Sequence, residues 1–286
     1  MTLDVDSSIR SALDEQAEKF IQHRTLRKAA KHLLGKGKLY RPKLALATFE
    51  AFTGVSAVPW VAVVTPLELV HTFTLIHDDL PCMDDAELRR GVKAVHIQCG
   101  EALAVLAGDA LCNVAFQVLH ADRRLGDGSV MKLCSALADG IQAVVAGQVA
   151  DLEAEGLKLS ISQLEELQRL KTGALLGASC EFGAILSAAK LTERRAVREI
   201  GEKLGLLFQL RDDLLSVEST EQEAGKSLHT DTARGKSTFH SLLGIEGAKK
   251  RAAQLWGEVE LQVKRLGLVA PESLLRAARQ AFEREA

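Results

Sequence analysis

His71-Thr-Phe-Thr-Leu-Ile-His-Asp-Asp-Leu-Pro-Cys-Met-Asp-Asp-Ala-Glu-Leu-Arg-Arg-Gly91 is the stretch on which the reading of this chain turns. Four carboxylates (Asp78, Asp79, Asp84 and Asp85) fall within eight residues, and Arg89 and Arg90 follow. Crowded acids repel one another, so the pattern makes physical sense where cations occupy the gap. Oxygen ligands suit Mg²⁺, which keeps several waters and completes its shell with phosphates. Arginines then grip phosphate through two-pronged, charge-assisted hydrogen bonds. On a continuous helix Asp78 and Asp84 would lie roughly 600° apart and share no face. Pro81 disfavours helix at Leu80 and removes a backbone donor, so the helix should end there. An irregular bulge would then return Asp84 to the side of Asp78. The plainer alternative is a solvated helix end, because charge runs usually lie on the surface.

A second acidic pair favours the cation reading. In Phe208-Gln-Leu-Arg-Asp-Asp-Leu-Leu-Ser216, Gln209, Asp212 and Asp213 stand at i, i+3 and i+4 and share a helix face. Leu206, Leu207, Leu210, Leu214 and Leu215 bury that helix, and unpaired buried carboxylates are very costly. Two acidic pairs on apolar helices are hard to explain without shared cations.

Composition points to helices throughout. Ala and Leu dominate the apolar residues and aromatics make up only 4%, against the preference of strands for aromatic and β-branched side chains. The 286 residues suit a single domain spanning 1–286. A formal net charge of -2 gives no support for nucleic-acid binding or a basic membrane patch. Five scattered cysteines without a Cys-x-x-Cys pair argue against zinc or a disulfide framework and for a reduced cytoplasm. No apolar run reaches the ~20 residues of a membrane span, so no stable membrane insertion is expected. The first residues carry acids where a targeting peptide would carry bases.

Along the chain, residues 8–34 read as one or two amphipathic helices, interrupted by Gly35-Lys-Gly-Lys-Leu-Tyr-Arg-Pro42 before helix resumes over 42–53. Glycines beside basic residues suit a phosphate approach, though such a segment is more often only a turn. Thr65-Pro66 reads as an N-cap with Pro at the first helical position, opening a helix over 66–80. His71, Leu75 and Asp78 form one stripe of it. Residues 101–120 and 129–153 read as long apolar helices suited to the middle of a bundle. A helix from Ser160 to about Ala189 carries Gly173, which costs about 1 kcal/mol relative to Ala and signals a kink or a close approach. The next helix covers 192–215. Residues 219–237 read as a polar loop over a site, and 237–284 is helical again.

The motifs together resemble the bacterial trans-prenyltransferases, the farnesyl and geranylgeranyl diphosphate synthases of the polyprenyl synthetase family. The first motif of that family runs Asp-Asp-Leu-Pro-x-Met-Asp-Asp-x-x-Leu-Arg-Arg-Gly, and every fixed position is filled here. Its Gly-Gly-Lys-Arg-x-Arg-Pro motif is matched at Gly37, Lys38, Arg41 and Pro42, with Lys36 and Leu39 as departures. Gln148 and Asp151 resemble a Gly-Gln-x-x-Asp-Leu stretch. The second acidic motif, Phe-Gln-x-x-Asp-Asp-x-x-Asp, ends here in Ser216.

The resemblance implies an all-α bundle of ten or more helices around a central apolar cavity, and a homodimer. It implies Mg²⁺ (three ions, with Mn²⁺ able to substitute) at Asp78, Asp79, Asp84, Asp212 and Asp213. Arg89, Lys171, Lys226 and Lys236 are expected on the allylic diphosphate. Lys38, Arg41, His71 and Arg90 are expected on isopentenyl diphosphate, and Lys171, Thr172 and Gln209 in catalysis. Phe73, with Thr74, is expected to form a floor that caps the product near fifteen carbons, at farnesyl diphosphate. The alternatives are a geranylgeranyl diphosphate synthase or a non-catalytic partner subunit of a prenyl synthase. Asp212-Asp213 argues against a terpene cyclase, whose second motif would be of Asn/Asp-Ser/Thr-Glu type. A phosphohydrolase built on His77-Asp78 lacks further His ligands.

Overall fold

The computed structural model describes residues 4–222 and 237–282, with side chains for 4–216 and 237–280. In chain order the helices are α1 (Val5–Phe20), α2 (Arg24–Lys31), α3 (Tyr40–Thr53), α4 (Val61–Val64) and α5 (Pro66–Asp78). A two-stranded hairpin, β1 (Leu88–Arg89) and β2 (Val92–Lys93), leads to α6 (Val95–Cys99), α7 (Glu101–Ala121), α8 (Asp127–Glu153) and α9 (Ile161–Gln168). Then follow α10 (Ala174–Leu186), α11 (Leu191–Gln222), α12 (Phe239–Arg265) and α13 (Pro271–Phe282). The all-α expectation holds among the described residues, apart from the short hairpin.

Local chemistry sets several helix ends. Ser160 and Gln163 form a capping box at α9, as Thr238 and Ser241 do at α12, each satisfying two otherwise orphaned donors. Thr65 does not cap α5. Its own backbone is helical, and its hydroxyl donates to Gln16 Oε1 (2.7 Å) inside the bundle. The reason is that α4 precedes it directly, leaving no extended residue to act as a cap.

The centre of the bundle is α10. Every residue from Ala174 to Ile185 is buried, and the helix packs on α11, α3, α8 and α5. Gly173 shows both features its cost signalled. It closes a π-type turn over Arg169–Gly173, and it lies where α10 and α11 nearly touch. A Cβ added at Gly205 on α11 would stand 2.3 Å from the Gly173 Cα. Gly205→Ala is therefore expected to lower stability by about 1–3 kcal/mol, as overpacking does. Urea unfolding checks this, and an unchanged midpoint would contradict the packing argument.

The helices read as the middle of the bundle, α7 and α8, instead lie at its side. They expose Val105, Leu106, Val145 and Val149. An apolar sequence signals burial without saying what buries it. By length and composition Val58–Asp78, Glu101–Ala121 and Asp127–Glu153 could also cross a membrane, which corrects the expectation drawn from uninterrupted runs. Isolated charges break those runs while leaving the mean hydropathy high. Helix α11 runs to Gln222, so the polar stretch read as starting at 219 begins as helix. The tail is interrupted twice: α12 kinks at Gly244 (φ +70°), and the chain breaks again before Pro271, where Gly267 has φ +61°.

Candidate active site

Helix α5 ends at Asp78, and the chain then folds back on itself as Pro81 predicts. The Asp84 amide donates to the Asp78 carbonyl (2.8 Å), Asp85 to Leu80 (3.1 Å) and Ala86 to Asp79 (3.2 Å). This bulge carries Asp84 back over the helix end. Burial pushes the Asp78 carboxyl up to about 6; Lys171 and Arg89 oppose the shift, while Asp84 and Asp79 add to it. Asp79 has a direct partner of its own. It is fully buried, and its Oδ1 accepts from Arg89 Nε (2.8 Å) and Nη2. Adjacent helical residues diverge by roughly 100°, so the two halves of an Asp-Asp pair serve different neighbours.

The hairpin separates the two arginines in the same way. Arg90 and Gly91 have φ +52° and +75°, the pattern of the tight turn preferred between antiparallel strands. Arg89 lies along Asp79, whereas Arg90 donates to Glu68 Oε1 (2.8 Å) and to the Leu33 carbonyl (3.0 Å). Gly37 lies against the Arg90 guanidinium, Lys38 is exposed and Arg41 half-buried nearby, and His71 is half-buried on α5.

Across from the bulge, Lys171 donates to Asp151 Oδ2 (2.7 Å) and Thr172 Oγ1 to Gln168 Oε1 (3.0 Å). Both stand in the π-type turn, a wide turn that recurs at functional sites. On α11, Asp212 is half-buried. Asp213 is tied by Gln209 Nε2 (2.8 Å) and by the Phe239 amide (2.8 Å), so it anchors the start of α12. Ser216 Oγ donates to the Asp213 carbonyl (2.7 Å). Lys226 and Lys236 lie outside the described residues. Phe73 is buried on α5 and meets His77 edge-on, with ring centroids 5.6 Å apart. The Thr74 hydroxyl bonds back to the His71 carbonyl.

These elements enclose a cavity of about 920 Å³ lined by Asp84, Arg89, Asp151, Lys171, Gln209 and Asp213, with leucines of α9 on one wall. Both acidic motifs thus reach one space. Among the described residues no three acidic, His or Cys side chains converge as a ready-made metal cage. That suits Mg²⁺, which takes one or two carboxylates and finds its other ligands in water and substrate phosphate. The donor set fits in two further respects. Asp78 bears a charge that burial penalises and a cation would relieve. The Gln148 side chain, buried near this wall, has neither amide atom paired.

Sequence reasoning missed Glu68, the buried partner of Arg90. The available signal was a single carboxylate in the otherwise apolar run Pro66-Leu-Glu-Leu-Val70. A glutamate in a first helical turn passes as a partner of the helix dipole.

The polyprenyl synthetase family matches residues 23–265. Farnesyl diphosphate synthase of Geobacillus stearothermophilus is 39% identical over 251 residues, covering 86% of this chain and 84% of that protein. A chloroplastic geranylgeranyl pyrophosphate synthase of Capsicum annuum is 38% identical over 264 residues, covering 90% of this chain and 70% of that one. A Helicobacter pylori geranyltransferase, solved in complex with magnesium and isoprenyl diphosphate, superposes with a TM-score of 0.78 at 31% identity over 99% of this chain and 97% of its own. The helical bundle is therefore an isoprenoid synthase fold, and the chain belongs to the polyprenyl synthetase family as a trans-prenyltransferase, a short-chain prenyl diphosphate synthase.

Proposed function

We propose that this enzyme joins isopentenyl diphosphate to dimethylallyl and then geranyl diphosphate and releases farnesyl diphosphate. The observation that carries the product length is Phe73. It lies five residues before Asp78 on α5, roughly 7–8 Å down the helix, and is buried with its ring edge-on to His77. A bulky ring at that depth stops a growing chain. The similarity to a geranylgeranyl synthase supports a second reading, a product of about twenty carbons. Supplying dimethylallyl, geranyl and farnesyl diphosphates as separate primers separates the two. Elongation of the first two but not of farnesyl diphosphate is expected, and efficient use of farnesyl diphosphate would support the second reading.

In this reading Asp78, Asp84 and Asp212 hold Mg²⁺ (three ions, with Mn²⁺ as substitute), and the metal neutralises the leaving diphosphate when bound. That group carries about three negative charges, each worth roughly 4 kcal/mol with a unit charge at 4 Å near a protein surface. Arg89, aimed by Asp79, and Lys171, held by Asp151, bind the same group, with Lys226 and Lys236. Thr172 and Gln209 turn polar atoms toward the carbocation left when the C–O bond breaks. Lys38, Arg41, His71 and Arg90 hold isopentenyl diphosphate, whose double bond attacks. Proton loss to the released pyrophosphate completes a chain five carbons longer.

Residues 1–286 are read as one domain, and the five free cysteines fit a reducing cytoplasm. The exposed apolar residues of α7 and α8 support a homodimer covering that face. Sedimentation at the monomer mass alone would contradict it.

Ser216 replaces the acid that ends the family motif. Its neutral hydroxyl can hold a water but cannot supply charge. Ser216→Asp is expected to raise turnover at low Mg²⁺ by about 10-fold and to change little at saturation. Wild-type protein that is inactive at high Mg²⁺ but gains synthase activity with Ser216→Asp would instead indicate a non-catalytic subunit.

A further inference from the structure

We infer that Glu68 is a positioning residue for the isopentenyl diphosphate subsite, acting through Arg90 and the glycine loop at residues 35–39. The inference rests on the reading of that subsite given above. Glu68 is 1% exposed, in the first turn of α5, among apolar neighbours. A carboxylate there is tolerated only with cations fixed against it. Arg90 supplies the direct contact (2.8 Å), and Arg41 and Arg10 stand within electrostatic reach.

The same guanidiniums hold the loop. Arg90 Nη1 donates to the Leu33 carbonyl (3.0 Å), and Arg10 Nη2 to the Gly37 carbonyl (3.1 Å). Gly37 is packed so closely that an added Cβ would come within 2.7 Å of Arg90 Nη2. Arg90 is itself presented from a turn in which it has φ +52°, a conformation costly for a side-chain-bearing residue. One buried carboxylate therefore sets where Arg90 lies, and Arg90 sets the height of the loop carrying Lys38. The charges show what the arrangement awaits. Arg90, Arg41 and Arg10 all lie within electrostatic reach of Glu68, and guanidiniums gathered beside one buried carboxylate suit a diphosphate. With the acid removed the guanidiniums repel one another, and Arg90 loses its fixed position.

Glu68→Gln tests this, because it keeps size and hydrogen bonding while deleting the charge. The KM for isopentenyl diphosphate should rise about 10-fold or more, as for lost supporting contacts, while the KM for geranyl diphosphate stays within about twofold. Gly37→Ala, which pushes on Arg90 without touching the buried acid, should give the same one-sided shift. It carries the test if Glu68→Gln does not fold. Unchanged isopentenyl KM in both variants, or equal rises for both substrates, would overturn the inference. Equilibrium binding of isopentenyl diphosphate without an allylic partner needs no turnover. If wild-type protein binds it but makes no product, the synthase reading fails, and the inference still stands or falls on whether Glu68→Gln weakens that binding.

Discussion

Asp78→Ala should lower turnover of isopentenyl diphosphate by about 10³-fold or more, the scale of losing a principal electrostatic contact to the developing charge. Asp78 is where several features meet. It ends α5, Asp84 is folded back onto it, and Lys171 and Arg89 stand close enough to influence its charge. Burial raises its carboxyl from an ordinary value of 3.8 to about 6. An acid raised in the folded state contributes stability below its unfolded value, and that contribution is lost as pH rises through the folded one. In metal-free buffer at pH 7 the ionised Asp78 is thus a burden, of order 1–3 kcal/mol. Asp78→Asn should therefore raise the unfolding midpoint in EDTA above pH 6 and change little below about pH 4. A variant that loses activity and stability together would show Asp78 to be a scaffold residue.

Phe73→Ala should shift the main product from about fifteen carbons to twenty or more. Removing the buried ring would leave a gap on α5 roughly 7–8 Å before Asp78, and the neighbouring His77, held by the Val105 carbonyl (3.0 Å) and crowded by Gly108, is not free to fill it. Phe-to-Ala changes in a packed interior typically cost 3–5 kcal/mol, and a lower unfolding midpoint should accompany the shift. Chromatography of the dephosphorylated products reads the chain length. Destabilisation with no lengthening would make Phe73 a packing residue alone and would place the floor elsewhere.

Much of this site was legible in the sequence because its signals are local. Pro81 marked the end of a helix and the return of Asp84. Gly173 marked both a distorted turn and a close helix contact. Other features depend on tertiary context that a linear pattern does not carry. Asp79 and Asp213 read as metal ligands beside Asp78 and Asp212, but the bonds that Asp79 makes with Arg89 and Asp213 with the Phe239 amide were not legible, because neighbouring helical side chains face different partners. Strands of two residues are too short to show an alternating period, so the hairpin that parts Arg89 from Arg90 was invisible. Leucine- and alanine-rich α7 and α8 looked central, whereas α10 is the one buried at every position from Ala174 to Ile185 among the described helices, and its small residues admit four neighbours at close range. Glu68 carries no local mark that sets it apart from any first-turn carboxylate, and only the fold brings Arg90 against it.

The measurement that bears most directly on the account is isopentenyl diphosphate turnover, with geranyl diphosphate as primer, against free Mg²⁺ buffered by EDTA. No product is expected without the metal, with a rise to a plateau as Mg²⁺ is restored and recovery with Mn²⁺. Full turnover in excess EDTA would contradict the proposed metal dependence, because Asp78, Asp84 and Asp212 would then face an anionic substrate with no metal cation between them.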